Sequence, residues 1–338
     1  MRRPLCFVVP EGVDDPDRVS GGNLYDRRLR EGLRSRGWDV RMLPVADREA
    51  TAEALSRIGA DAIVMIDGLV AGWAPDAVEG TAARLPVVIV AHMVSAAFAG
   101  SVPDLVDAEN RALRSAGKVI ATSGWTAGEL VRLGLVNGDR IAVAQPGSRG
   151  GSRLPSPDHR AMLCVGAIAP HKGQDVLLQA LGLLDSDGHR GWTCTLVGSH
   201  TVDAEYAARV AETAAHFSDR VRMPGILHGT ALDREYRRAG LLVAPSRVES
   251  FGMAVADARR RGLPMIASAV GGIPEAAAGG GAMLVSPDDP RALAGLLARW
   301  MAEPAVRSRL NDEAAHGRAG APRWADTVER VDRVLESV

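Results

Sequence analysis

The stretch LLVAPSRVESFGMAVADARRRGLPMIASAVGGIPEA, residues 241–276, decides the fold. An apolar run at 241–244 is followed by a helix start near Gly252 and then by a second apolar run at 264–267. Neither run alternates with polar residues, which is typical of parallel strands covered on both faces. The stretch therefore predicts a strand, a helix and a second strand parallel to the first.

The same alternation extends over the whole chain. Amphipathic segments separate the apolar runs; at 24–36, Tyr25, Leu29 and Leu33 recur at four-residue spacing on one helical face. The predicted strands are 5–10, 40–44, 62–66, 87–91, 119–123, 141–144, 162–165, 193–198, 221–224, 241–244, 264–267 and 283–286. Strands and helices in alternation predict a doubly wound α/β architecture.

The length of 338 residues indicates two domains. The clearest break is PGSRGGSRLPSP at 146–157, which is rich in Gly, Ser and Pro and lacks apolar periodicity. We therefore predict domains over 1–148 and 149–322, each with half of the strands, and a final helix within 323–338. Two such sheets facing each other would form a cleft between the carboxyl ends of their strands, where ligands bind.

Composition excludes several classes of protein. Hydrophobic residues make up 46% and charged residues 24%, which excludes a disordered chain. Lys plus Arg total 40 against 41 Asp plus Glu, a balance that gives no support for nucleic-acid binding. The three cysteines are far apart in the sequence, and the N-terminal apolar run is too short for a signal peptide. Both features predict a cytoplasmic protein with reduced thiols.

The first loop ends in Ser20-Gly21-Gly22 and opens the helix at 24–36. Two glycines at a helix start let a ligand approach bare amides, and the helix dipole favours an anion. A flexible loop with Ser20 as N-cap explains the same residues equally well.

A lysine lies in the corresponding loop of the second half. Strand 162–165 runs into Gly166, and Lys172-Gly173 follows just before a helix at 174–184. The ammonium group of Lys172 suits a phosphate or another oxyanion leaving group. The alternative is a solvated surface lysine.

Two carboxylates follow strand 241–244. Glu249 and Asp257 are eight positions apart, which on a helix separates them by roughly 12 Å. That separation suits two acceptors holding opposite ends of a polyhydroxylated ligand, with the amides of Gly252 and Met253 between them for a phosphate. Alternatively, Asp257 pairs with an arginine three or four positions later, and Glu249 complements the helix dipole.

Taken together, these motifs resemble a known family. Lys172-Gly173, the Glu249-x7-Asp257 block and Gly271-Gly272-Ile273-Pro274-Glu275 occur in the order and spacing of retaining glycosyltransferases of the GT-B fold, family four. Taken alone, the last motif would be an ordinary tight turn. The likeness is strong after residue 160; before it, the likeness rests mainly on Gly21-Gly22, His92 and the segments 119–130 and 143–147.

The resemblance implies roles for individual residues. Glu249 would hold hydroxyls of the donor sugar, Asp257 the ribose, and Lys172 the diphosphate. His92 would act near the acceptor and the sugar, the alternative being a satisfied core histidine. The implied donor-site residues are Gly21, Gly22, Gly166, Lys172, Gly225, Ile226, Leu227, Arg247, Glu249, Phe251, Gly252, Met253 and Asp257, and the implied acceptor-site residues are Gly68, His92, Met93, Ser95 and Ser123.

The resemblance also assigns roles to the domains. Residues 1–148 would bind the acceptor and 149–322 the nucleotide-sugar donor, while the helix within 323–338 would cross back to the first domain. Two departures weaken the expected donor contacts. Ala167 stands where many members have an arginine, which Arg247 or His171 could replace, and Asp257 is one methylene shorter than the usual glutamate.

The implied reaction moves a hexose-type sugar from a UDP- or GDP-sugar to an acceptor hydroxyl. It would proceed by front-face attack with retention at the anomeric carbon. The implied catalytic residues are His92, Lys172 and Glu249. No metal or other cofactor is expected, and the patterns Asp15-Pro16-Asp17 and Asp185-Ser186-Asp187 are interpreted as solvated loop acids. Alternatives are a nucleotide-sugar binding protein with little transfer activity and another GT-B enzyme, such as an epimerase.

The expected partners are the nucleotide sugar and a small or lipid-linked acceptor. The predicted helix at 24–36 carries Arg27, Arg30 and Arg34 on one face. A solvated face is the favoured interpretation; docking on anionic lipid, at the inner face of the membrane, is the alternative.

Overall fold

The computed structural model describes residues 2–18, 20–97, 102–148, 150–151 and 158–338. Its strands are β1 Leu5–Pro10, β2 Val40–Val45, β3 Ile63–Asp67, β4 Val87–Ala91, β5 Lys118–Ala121, β6 Ile141–Val143, β7 Ala161–Val165, β8 Thr193–Val197, β9 Val221–Gly225, β10 Leu241–Ala244, β11 Met265–Ser268 and β12 Ala282–Val285. Each predicted strand is confirmed, with ends shifted by at most two residues.

The α-helices occupy the segments between the strands. They are α1 Gly21–Ser35, α2 Arg48–Ser56, α3 Gly68–Trp73, α4 Pro75–Ala82, α5 Pro103–Ser115, α6 Gly124–Arg132, α7 Gln174–Ser186, α8 Ala204–Ala215, α9 Gly229–Arg238, α10 Met253–Arg261, α11 Ile273–Ala277, α12 Pro290–Ala302, α13 Pro304–Gly317 and α14 Trp324–Glu336. The helices expected at 24–36, at 174–184 and within 323–338 are α1, α7 and α14.

The chain divides into two compact units. Unit 1 is Met1–Gly147 with Arg323–Val338, and unit 2 is Ser148–Pro322. The sheet of unit 1 has the order β2-β1-β3-β4-β5-β6, and that of unit 2 has the order β12-β11-β10-β7-β8-β9. All pairings described are parallel, with helices as crossovers.

The last helix, α14, completes the core of unit 1. Val328, Val331 and Leu335 lie in the same buried cluster as Leu29 and Leu33 of α1. Gly147 allows the close approach of the helix start, because a Cβ there would lie 2.1 Å from the Trp324 amide nitrogen. The apolar side of α14 is thus buried against unit 1, as expected for an amphipathic helix.

The strand order fixes where each unit can bind a ligand. In each sheet the chain first adds strands on one side of the starting strand and later adds a strand on its other side. The loops that follow these two neighbouring strands therefore run to opposite faces of the sheet. This topological switch point lies between β1 and β3 in unit 1, and between β7 and β10 in unit 2. Doubly wound sheets bind ligands at the carboxyl ends of the strands at such points.

Candidate functional site

The switch point of unit 2 carries the predicted lysine and glutamate. Lys172 lies after β7 and Glu249 after β10, and Lys172 Nζ donates to Glu249 Oε2 over 2.5 Å. Their side chains are 24% and 18% exposed, so both remain reachable from solvent. Lys172 is one of two lysines in a chain with 38 arginines. A cation and an acceptor thus meet at the edge where a ligand would enter.

Glycines hold the two loops together. Gly173 has a left-handed backbone, with φ of +68°, and a Cβ there would lie 2.1 Å from the carbonyl oxygen of Pro245. The carbonyl of His171 accepts from the Arg247 amide at 2.9 Å. These backbone contacts bring Lys172 toward Glu249 before any ligand binds.

The Gly271-Gly272 turn supports Glu249 from the other side. The Gly272 amide donates to the Glu249 carbonyl at 3.1 Å. A Cβ on Gly271 would lie 1.7 Å from that same carbonyl oxygen, and the φ of Gly271 is +55°. The turn is therefore more than an ordinary connection, because only glycine leaves room for the backbone of Glu249.

Helix α10 starts beside this pair. Gly252 precedes it with φ of +98° and has no side chain to cap the first amides. Phe251 is buried and Met253 is half-buried. The unpaired amides and the helix dipole at such an N-terminus favour an anion.

Asp257 lies on α10, with its side chain 14% exposed. Its Oδ2 is 3.9 Å from Nη1 of Arg261, which also pairs with Asp233 and stacks on the Tyr236 ring at 4.4 Å. The alternative interpretation, a pair with an arginine one turn later, is thus present in the structure. The ribose contact remains a prediction.

Arg247, which was considered in place of the missing arginine, is held in ion pairs in the structure. Its guanidinium donates to both oxygens of Asp175 at 2.8 Å, to Asp288 at 2.8 Å and to the Pro170 carbonyl at 2.8 Å. These acceptors occupy all three guanidinium nitrogens. Arg247 thereby ties the loop after β10 to α7. Its predicted place among the donor contacts stays a prediction.

Other predicted donor residues lie on the same edge of the sheet. Gly166 follows β7, and the carbonyl of Ala167 accepts from the buried Gln174 side chain at 2.9 Å. Gly225 ends β9 with φ of +77°, so it belongs to the strand and not to the loop. Ile226 and Leu227 are half-buried beyond it. Their place in the donor site stays a prediction.

Asp185 corrects the interpretation of the second acidic pattern. It lies within α7 and accepts from Arg220 and from the Trp192 indole. Asp185 is therefore a structural acceptor and not a solvated loop acid.

The switch point of unit 1 holds a cluster that the sequence did not reveal. His92 follows β4, and its Nε2 lies 3.0 Å from Oδ1 of Asp26 on α1 and 3.5 Å from Oδ2 of Asp67 at the end of β3. Asp26 is fully buried, Asp67 is 3% exposed, and the His92 side chain is 17% exposed. Three polar side chains from separate elements thus converge.

The charges of this cluster shift its proton affinities. Burial would lower the pKa of His92, but the carboxylates of Asp26 and Asp67 outweigh burial and raise it to about 9. Burial, together with the charge of Asp26, raises the pKa of Asp67 to about 7. At neutral pH the imidazole is therefore protonated.

The cluster offers three side-chain atoms within 4.8 Å of one another. The 3.0 Å spacing between Nε2 and Oδ1 is that of a hydrogen bond with a proton between the two atoms. We interpret the group as a hydrogen-bonded cluster. The expectation that no metal takes part stays a prediction.

Gly21 and Gly22 form the first turn of α1. The hydroxyl of Ser20 accepts from the Asn23 amide at 2.9 Å, so the N-cap interpretation holds. A Cβ on Gly22 would lie 3.3 Å from Cδ2 of His92. The glycine pair therefore lets α1 approach the histidine ring closely.

The predicted acceptor residues have different environments. Gly68 starts α3, and Met93 is 48% exposed. The Ser95 amide donates to Glu109 at 2.7 Å. The buried hydroxyl of Ser123 caps α6 by accepting from the Thr126 amide. Its contact with the acceptor stays a prediction.

The arginines of α1 are engaged within unit 1. Arg30 forms two hydrogen bonds with Asp14, while Arg27 and Arg34 donate to backbone carbonyls. Among the helices of the described segments, not one combines the length and apolar character needed to cross a bilayer.

Comparison with known proteins defines the class first. A sucrose-phosphate synthase from Thermosynechococcus elongatus matches 99% of both chains at 22% identity with a TM-score of 0.80. The Anabaena protein HepE, solved in complex with UDP-glucose, matches 100% of both chains at 16% identity with a TM-score of 0.77. The protein has the two-domain α/β fold known as GT-B.

The family follows from the sequence relatives. Residues 152–317 match the family model "Glycosyl transferases group 1". A D-inositol 3-phosphate glycosyltransferase from Thermomonospora curvata is 33% identical over 257 residues, 68% of this chain and 58% of that protein. The Frankia alni enzyme of the same name is 32% identical over 67% of this chain and 60% of that protein.

The chain belongs to the group 1 glycosyltransferases, of the family-four type. It spans less than two thirds of the length of these curated relatives.

Proposed function

We propose that the protein is a retaining glycosyltransferase that moves a hexose-type sugar from a UDP- or GDP-sugar to an acceptor hydroxyl without a metal. The observation that carries this proposal is the 2.5 Å pair of Lys172 and Glu249 at the switch point of unit 2, beside the open N-terminus of α10. The names of the relatives and the UDP-glucose complex of HepE support it.

In the proposed reaction, the bond between the anomeric carbon and the diphosphate breaks, and the diphosphate keeps the electron pair. The acceptor oxygen forms the new bond on the same face of the sugar, and its proton passes to the departing phosphate oxygen. The Lys172 ammonium and the amides of Gly252 and Met253 stabilise the charge on the leaving group. Glu249 holds the sugar hydroxyls, so that catalysis is mainly positioning and electrostatics.

Donor binding would change the partner of Lys172. In the structure its ammonium neutralises Glu249; a bound diphosphate would compete for the ammonium and free Glu249 for the sugar. The ion pair thus holds both side chains in place, and each charge compensates the partly buried charge of the other until the ligand binds. We expect unit 1 to contribute His92 and the exposed Met93 toward the acceptor.

A second candidate is a nucleotide-sugar binding protein with little transfer activity. Ala167 leaves the donor site without the usual arginine, and Arg247 is committed to Asp175 and Asp288. With fewer cations at the leaving group, the rate of transfer should fall more than the affinity for the donor. Lys172 and the amides at the start of α10 still bind the diphosphate. Slow hydrolysis of a bound donor without acceptor distinguishes an enzyme from a silent binder.

The first test is a thermal-shift screen with nucleoside diphosphates and their sugars, in the absence of metal. A ligand at 100 times its Kd stabilises by about 2.7 kcal/mol, which gives a rise of a few degrees in Tm. Selective stabilisation by one base identifies the donor; incubation of that sugar nucleotide with acceptors, inositol 3-phosphate included, then tests transfer. The anomeric configuration of the product is read by NMR. A flat response to every nucleotide contradicts the proposed function.

A further inference from the structure

Asp26 is a buried charge that the proposed transfer reaction does not use. It lies in the second turn of α1 with its side chain fully enclosed, and its Oδ2 has no hydrogen-bond partner. An enclosed carboxylate is costly unless a cation compensates for it. The only ion-pair partner that Asp26 has among the described residues is His92.

Asp67 adds a second carboxylate to the same small space. Its Oδ1 accepts from the Leu69 amide at 2.7 Å, which fixes its position at the N-terminus of α3. Two carboxylates and one imidazolium would leave a net negative charge. A proton taken up by Asp67 relieves this excess, consistent with its raised pKa. Asp26 is the carboxylate that lies at hydrogen-bond distance from the histidine.

The imidazole ring is held on several sides. Its Nε2 is bonded to Asp26, the ring of Tyr25 meets it edge-on at 5.2 Å, and Gly22 approaches its Cδ2. The Tyr25 hydroxyl is directed away, donating to the Ala144 carbonyl at 2.8 Å. Glu109 of α5 is likewise directed to the amide of Ser95. The charged groups acting on His92 are therefore Asp26 from α1 and Asp67 from β3.

The other ring nitrogen is left for a ligand. His92 Nδ1 has no hydrogen-bond partner among the described residues and is not one of their buried, unsatisfied atoms. With Nε2 bonded to a carboxylate, a proton on Nδ1 can be donated outward. A neutral histidine held in the same way would present Nδ1 as an acceptor instead.

We propose that Asp26 is a positioning residue that fixes the ring of His92 through Nε2 and keeps a proton on Nδ1, making it a charged donor to an oxygen of the bound substrate. This inference rests on the proposed function, since it assigns the substrate oxygen to the donor sugar or the acceptor. His92 is then a hydrogen-bond donor and not a general base. That role fits a reaction in which the leaving phosphate takes the acceptor proton.

The experiment compares the wild-type protein with Asp26→Asn, which keeps the size of the side chain and removes its charge. The matched control is Asp47→Asn, a carboxylate in unit 1 that caps α2 by accepting from the Ala50 amide. Nitrogen-15 spectra of labelled histidines follow the protonation of His92, identified among the eight histidines by a His92→Gln variant. These spectra need no substrate.

We expect His92 in the wild type and in Asp47→Asn to stay doubly protonated until the pH nears 9, and in Asp26→Asn to lose its proton closer to the ordinary histidine range. Turnover of UDP-glucose by Asp26→Asn should then be about tenfold lower than wild type at pH 8 and nearly equal at pH 6.

Several results would overturn the inference. In the nitrogen spectra, these are titration of wild-type His92 near pH 6.5 and an unchanged titration in Asp26→Asn. In the kinetics, the contradicting result is equal turnover of both proteins across pH 6–9. Displacement of the ring proton by added Zn²⁺ or Mn²⁺ would also overturn it. A wild type that turns over no sugar nucleotide instead contradicts the proposed function, while the nitrogen spectra still decide whether Asp26 controls the ring.

Discussion

The ammonium group of Lys172 and the carboxylate of Glu249 meet at 2.5 Å although they are 77 positions apart in the chain. The two residues follow β7 and β10, which are hydrogen-bonded neighbours on either side of the switch point of unit 2. The topology of the sheet therefore creates the pair, and two glycine turns fix it. A ligand that binds here must exchange this internal ion pair for contacts of its own.

Replacing Lys172 by Met should abolish most of the activity. The substitution keeps the aliphatic stem but removes the only lysine ammonium of unit 2, so the leaving diphosphate loses a fixed cation. We expect kcat for the sugar nucleotide to fall roughly 100- to 1,000-fold. Steady-state kinetics on the donor identified by thermal shift provide the measurement.

Lys118→Met is the matched control, because the chain has no other lysine. Lys118 is in unit 1, where it donates to the Asp139 carbonyl at 3.0 Å. Equal kinetics for the Lys172→Met and wild-type proteins would exclude the proposed role of the ammonium.

The scarcity of lysine also permits a direct test of partner exchange. Reductive methylation with carbon-13 labels Lys172, Lys118 and the N-terminus, and preserves their charge. On titration with UDP we expect the Lys172 methyl signal to shift as its partner changes from Glu249 to the diphosphate, while the Lys118 signal stays in place. A Lys172 signal that does not respond to saturating UDP would place the diphosphate elsewhere.

Gly271→Ala should disable the site through Glu249. The added Cβ would meet the Glu249 carbonyl at 1.7 Å, so this backbone must move and the carboxylate with it. We expect donor KM to rise at least tenfold, because a displacement of about 1 Å at a positioned group is costly. Kinetics and thermal unfolding are measured on the same preparation.

Gly279→Ala separates this clash from backbone strain. Gly279 has a similar left-handed φ of +70°, but a Cβ there has no atom within 4 Å. Both variants pay the cost of a left-handed alanine, about 1–2 kcal/mol. If the two variants lose donor affinity equally, the argument from the Glu249 contact is wrong.

The strands and the unit 2 loops could be predicted because their signals are local. Non-alternating apolar runs define each buried parallel strand, and Lys172 and Glu249 lie within short motifs next to strand ends. The ion pairs of Arg247 could not be predicted, because Asp175 at the start of α7 and Asp288 before α12 lie far from it in the sequence. Sequence spacing says nothing about which acceptor a long, flexible guanidinium will reach.

The cluster in unit 1 was missed for the same reason. Asp26 is part of an amphipathic helix and, next to Tyr25, has the sequence pattern of a surface acid. Only the packing of α1 against the sheet of unit 1 buries it. One sequence signal could have found it. Asp26 lies four positions after Gly22 and therefore on the same side of the helix as that glycine, which was already a candidate for close approach of a ligand.

The stability of unit 1 should fall as the pH rises from neutral to about 9. The pKa of His92 is raised in the folded state, so its contribution is complete below the unfolded value of about 6.5 and is lost as the pH passes through about 9. Asp67, whose pKa is raised to about 7, acts in the same direction between about pH 4 and pH 7. The histidine alone accounts for up to about 3 kcal/mol.

Amide hydrogen exchange of peptides from α1, measured at pH 6, 7.5 and 9 and corrected for intrinsic rates, isolates unit 1 from unit 2. The protection of α1 should decrease across this range in the wild type and in Asp47→Asn. It should change much less in Asp26→Asn, where the main cause of the raised His92 pKa is gone. If α1 protection is constant from pH 6 to pH 9 in the wild type, then His92 is not held in its charged form by the two carboxylates.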